Sequence, residues 1–132
     1  MNPLAVKVLE SFGYPTDGLR SKNWDEFAST STARMDFVFT VCDNAGGEAC
    51  PVWPGQPVTA HWGIADPAAA TGTDLEREAA FVTAFKQMRT RISLFTALPI
   101  ESLDRMALRE SLREIGASEG ATNRASREKN TA

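Results

Sequence analysis

The residues with the most chemistry to offer are two cysteines, one aspartate and one histidine. Cys42 and Cys50 bracket Asp43-Asn44-Ala45-Gly46-Gly47-Glu48-Ala49, and the paired glycines make that stretch easy to bend. A disulfide closing this ring would gain about 2.5 kcal/mol from loop entropy if unstrained. A bond of that kind can open and close reversibly as a redox switch. The same spacing also fits a small buried Cys42 at a strand end and an incidental Cys50. Thiolate character decides reactivity, and spacing does not reveal it. C-x7-C is not a zinc signature, and no second cluster completes a site.

Asp66 precedes Pro67, which biases it toward extended geometry. A carboxyl group held that way at the mouth of a pocket can protonate a leaving oxygen. Asp-Pro is also an ordinary turn starter. His61, the only histidine, lies between Ala60 and Trp62. A lone histidine cannot build a metal site, so the expectation is a structural hydrogen bonder or an exposed strand residue. Trp53, Pro54 and Trp62 suggest either an aromatic wall or core packing.

The elements that must hold these groups follow from periodicity. Asn2 is a good N-cap, Pro3 suits the first helical position, and Leu4, Ala5, Val8, Leu9 and Phe12 share a face. This predicts a helix over 3–12, ended by Gly13 in a left-handed cap. A helix starting so near residue 1 suggests that something upstream is absent. Trp24 and Phe27 can anchor one short turn. The run 35–41, with Phe37, Val38, Phe39 and Val41, predicts a strand buried on both faces and leading into Cys42. In open α/β sheets, chemistry gathers at the carboxyl ends of strands. A Gly- and Pro-rich loop over 43–57 precedes a second strand, 58–62.

Thr73 and Glu76 form a capping-box pattern, followed by Leu75, Ala79, Val82, Phe85, Ile92 and Phe95 as an apolar stripe. Lys86, Arg89 and Arg91 place positive charge toward the end of this helix, where its dipole favours it. A last helix is expected over 102–115, with Leu103, Ala107, Leu108, Leu112 and Ile115 inward and Gly116 as its stop. Residues 117–132 lack large apolar side chains and read as a disordered tail after a single domain over 1–116.

Composition narrows the function further. The chain has 132 residues, 42% hydrophobic and 23% charged, enough for one globular domain. Its 14 Lys and Arg against 17 Asp and Glu give a net charge of −3, which disfavours nucleic acid as a partner. No apolar run approaches a membrane span, and no signal peptide is visible, so the expected compartment is the cytoplasm. A permanent disulfide is not expected there. The sequence holds no Walker loop, no G-x-G-x-x-G and no G-x-S-x-G.

Five segments in order resemble the arsenate-reductase branch of the low-molecular-weight tyrosine-phosphatase family. They are Asn2-Pro3-Leu4-Ala5-Val6-Lys7-Val8-Leu9, Leu19-Arg20-Ser21-Lys22-Asn23-Trp24, Met35-Asp36-Phe37-Val38-Phe39-Thr40-Val41-Cys42, Ala49-Cys50-Pro51-Val52-Trp53-Pro54-Gly55 and His61-Trp62-Gly63-Ile64-Ala65-Asp66-Pro67-Ala68. The match covers about residues 2–116. It implies an α/β fold, a three-layer parallel sheet of four strands with helices on both faces. It implies a nucleophilic cysteine in a C-x5-R loop that cradles a tetrahedral arsenate or phosphate-like anion. By the same resemblance Asp66 is the general acid and Cys42 and Cys50 are the redox relay. Thioredoxin, glutaredoxin or a small thiol would be the reductant, and no bound cofactor or metal is implied. Six positions after each cysteine stand Glu48 and Gln56 instead of Arg, so these 132 residues contain no C-x5-R. The family's first strand, first helix and second strand would precede residue 1, and the chain alone is expected to be inactive. The alternative is a non-catalytic interaction module or pseudo-enzyme, completed by a partner or by self-association through an exposed strand edge.

Overall fold

The computed structural model describes residues 1–28, 34–41 and 55–122. The fold is α/β. Helix α1 (Pro3–Ser11), strands β1 (Phe37–Thr40) and β2 (Val58–His61), helix α2 (Asp74–Thr96) and helix α3 (Arg105–Gly116) follow in chain order. Short 3-10 turns lie at Trp24–Phe27, Pro67–Ala69 and Ile100–Ser102.

Helix α1 begins as its sequence requires. The Asn2 side chain accepts the Leu4 N–H at 2.9 Å, and Pro3 occupies a position whose N–H would have no helical acceptor. Gly13 takes φ +82°, the left-handed geometry that stops the helix. The apolar face of α1 meets α2: Phe12 stacks on Phe85 with ring centroids 4.3 Å apart, and Tyr14 meets Phe85 edge-on.

The two strands pair in parallel, with Phe37 opposite Val58 and Thr40 opposite His61. Side chains alternate across a strand, so Phe37, Phe39, Val58 and Ala60 share one face. That face carries the core. Phe39 stacks on Trp62 at 4.0 Å, and Phe95 of α2 stands edge-on to Phe37, Phe39 and Trp62. Leu112 and Ile115 of α3 close the cluster with Val58 and Trp62. Full burial of an aliphatic side chain such as Leu112 contributes about 1.5–3 kcal/mol. The sequence predicts β1 buried on both faces, but all four of its residues are only half-buried. The packing that explains this is one-sided: the described aromatic and helical partners gather on the face of Phe37 and Phe39.

Helix α2 starts with a complete capping box. Thr73 accepts the Glu76 N–H, and Glu76 reaches back to the Thr73 N–H. Its inward stripe differs from the predicted one. Leu75 is 77% exposed and Ile92 51% exposed, while Phe81 and Arg91 are buried. The real face runs through Phe81, Phe85, Met88, Arg91 and Phe95, rotated from the predicted line because α1 and the sheet both press on that side. Arg91 therefore does not serve as an exposed charge near the helix end. Replacing Thr73 with alanine should lower stability by about 1 kcal/mol. A urea midpoint unchanged from wild type would mean the box is not formed in solution.

Helix α3 begins at Arg105, three residues later than predicted. Asp104 is its cap, accepting the Ala107 N–H at 2.8 Å, and residues Ile100–Ser102 form a separate turn. The predicted tail from 117 starts one residue after the helix. Residues 117–122 nevertheless belong to the described fold: Ala121 forms an antiparallel bridge with Ile64. Residues 123–132 lie outside the described residues.

Candidate functional site at the carboxyl end of the sheet

Both strands point their carboxyl ends at the same place. The Trp62 N–H donates to the Thr40 carbonyl at 2.7 Å, and the Ile64 N–H donates to the Val41 carbonyl at 3.1 Å. The exit of β1, which leads into Cys42, is thereby held against the segment that leads to Asp66. Cys42 and Cys50 themselves lie outside the described residues, as do Trp53 and Pro54.

Asp66 sits two residues beyond Ile64, exposed, with φ −70° and ψ 111°. This is the extended geometry that Pro67 enforces. One carboxylate oxygen, Oδ1, accepts the Ala68 N–H at 2.9 Å, so Asp66 caps the turn Pro67–Ala69. Turn starter and solvent-facing carboxyl are the same residue here. The turn packs on α2, which anchors the segment downstream of the acid.

His61 is 6% exposed, and Nδ1 lies 2.7 Å from the Thr40 hydroxyl across the strand pair. The expectation of a structural hydrogen bonder holds, and that of an exposed residue does not. Trp62 belongs to the core, 2% exposed, and its indole N–H donates to the Leu112 carbonyl at 3.0 Å. Among the described residues no group of His, Cys, Asp and Glu is placed to hold a metal ion.

Three contributors play roles that the sequence does not show. Thr40 is the partner of His61, and strand alternation alone does not choose its mate. Gly116 lets α3 touch β2: a Cβ there would stand 2.8 Å from Trp62 Cδ1 and 2.9 Å from the His61 carbonyl. Arg91 is fully buried on α2, and burial pulls its guanidinium below the usual range. Its position three after Met88 and four before Phe95 is the signal that places it on the core face.

Comparison with known proteins agrees with this frame. No family profile matches the chain. The arsenate reductase of Halalkalibacterium halodurans is 34% identical over 95 residues, covering 72% of this chain and 66% of that protein. That of Bacillus subtilis is 33% identical over 95 residues, with the same coverage of both chains. That of Oceanobacillus iheyensis is 32% identical over 92 residues, covering 70% of this chain and 60% of that protein. The chain belongs to the arsenate reductase family. It spans just under two thirds of the length of these relatives.

Proposed function

We propose that this chain carries the acid and the thiol relay of an arsenate reductase of the tyrosine-phosphatase-like kind. Asp66 serves as the general acid, and Cys42 and Cys50 pass the oxidation on as a disulfide. The carrying observation is the pinning of Val41 to Ile64, which brings the exit toward Cys42 and the Asp66 turn to one mouth of the sheet. Reducing As(V) to As(III) takes two electrons, and closing one dithiol to a disulfide releases two electrons and two protons. A thioredoxin, a glutaredoxin or a small thiol then reopens that disulfide by exchange. The cytoplasm, where such donors are kept reduced, is the compartment that suits this relay.

The anion cradle of this chemistry is a C-x5-R loop, which these 132 residues do not contain. The 132-residue chain alone is therefore expected to turn over neither arsenate nor a phosphate ester. Arsenate binds once such a loop is supplied in a three-layer assembly with a strand beside β1. Two measurements test the reading. Arsenate-dependent consumption of thioredoxin by the isolated chain, abolished in Asp66→Ala, would overturn the inactivity. Titration of the two thiols after mild oxidation should show both lost to one intramolecular disulfide, and two free thiols would remove the relay.

A second reading is an interaction module completed by a partner or a second copy. Among the described residues β1 pairs only with β2, and Phe12, Tyr14, Ile92 and Leu94 are exposed. An unpaired strand edge is a template for another strand. Light scattering decides it: a monomer at all concentrations counts against completion by a second copy.

A further inference from the structure

Arg91 shows no exposed surface, yet no carboxylate pairs with it among the described residues, and its Nε has no hydrogen-bond partner. A buried cation in that state is costly, and an apolar side chain of similar volume is commonly the more stable choice. The remaining donors show where the guanidinium acts. One donates to the Gln87 carbonyl on its own helix at 3.2 Å, and the other to the Ser118 carbonyl at 3.4 Å, 27 residues away. Ser118 opens the segment that returns from α3 toward the acid turn. Its carbonyl also accepts the Ala121 N–H at 3.0 Å, Ala121 bridges Ile64, and the Thr122 N–H donates to the Gly63 carbonyl at 3.1 Å. Gly120, at φ +87°, lies directly against the Gln87 side-chain amide, where a Cβ would collide.

We propose that residues 118–122 are a strap, fastened to α2 by Arg91 and lying against the Gln87 side chain, that fixes the segment Gly63–Asp66 from the side opposite β1. Arg91 is then a positioning residue for Asp66. The assignment of Asp66 as the acid rests on the function proposed above, whereas the mechanical role of the strap does not. Ile64 is the junction, held by Val41 on one side and by Ala121 on the other. Loosening the strap leaves the turn that carries Asp66 fastened at Val41 and at α2 alone.

Residue-resolved amide exchange on the full chain tests this without any turnover. In Arg91→Met the Ala121 and Thr122 amides, which donate to the Ser118 and Gly63 carbonyls, should exchange about tenfold faster, while the Ile64 amide, held by Val41, and the amides of α3 keep their rates, because local opening need not involve the core. Arg91→Lys, which keeps a charged donor, should recover most of the protection. Gly120→Ala, strained by the φ of +87° that an L side chain rarely adopts, should reproduce the local loss with Arg91 intact, and decides the matter if Arg91→Met does not fold. Unchanged Thr122 exchange in Gly120→Ala, or a uniform acceleration across α3 in Arg91→Met, overturns the proposal. Once a C-x5-R loop is supplied and arsenate is turned over, an Asp66 variant that keeps full activity would remove the acid and leave these exchange results standing.

Discussion

Trp62→Ala should cost about 3–5 kcal/mol of unfolding free energy, the largest single loss expected among the described residues. The indole is 2% exposed, stacked on Phe39 at 4.0 Å and flanked by Phe95, so its removal opens a cavity between sheet, α2 and α3 together. It also takes a donor from the Leu112 carbonyl. Small domains hold about 5–15 kcal/mol in total, so the variant should lose a large share of its margin. Trp62→Phe separates the two contributions: it keeps the ring contact and loses the N–H, and should cost about 1–2 kcal/mol. Urea unfolding followed by far-ultraviolet circular dichroism gives both numbers. A loss below about 1 kcal/mol for the alanine variant would mean that the three elements do not meet at this side chain.

Local signals carried most of the fold because they depend on neighbours in sequence. Asn2 with Pro3, Thr73 with Glu76, and Asp66 with Pro67 each settle their geometry within four residues, and each is found as its chemistry requires. The tail boundary and the inner stripe of α2 depend on what packs against them. Leu75 has the right spacing for the core and faces water, 77% exposed in the first turn of α2. Arg91 has the wrong chemistry for the core and is buried, because the Ser118 carbonyl waits there. Residues 118–122 look like tail by composition, and the backbone bonds that hold them to Gly63 and Ile64 leave no trace in side-chain type.

The same distinction governs the candidate site. The extended backbone of Asp66 is legible because proline constrains its predecessor through covalent geometry. The pairing of His61 with Thr40 is not, since it depends on a parallel register set by aromatic packing on the other face. The site is thus a by-product of the core: the strands are aligned by Phe37, Phe39 and Trp62, and that alignment brings Val41 to Ile64.

Gly116→Ala should destabilise the protein, against the usual sign of that exchange in a helix. In an exposed helix interior alanine is better than glycine by roughly 1 kcal/mol. Gly116 ends α3 without positive φ, so backbone freedom is not its reason for being there. The reason is proximity. An added Cβ meets the Trp62 ring at 2.8 Å and the His61 carbonyl at 2.9 Å, and neither can yield cheaply. The ring is held by Phe39 and by its bond to Leu112, and the carbonyl belongs to β2. Overpacking of this kind costs about 1–3 kcal/mol, which outweighs the propensity gain. Gly116→Val should be worse still. The decisive comparison is a double-mutant cycle with Trp62→Ala, which removes one of the two colliding groups. The cost of Gly116→Ala should then fall by about 1 kcal/mol or more, a coupling within the range of residues in direct contact. A cost that stays the same in both backgrounds would assign the strain to the His61 carbonyl alone. A stabilised Gly116→Ala would show that α3 does not lie this close to the sheet.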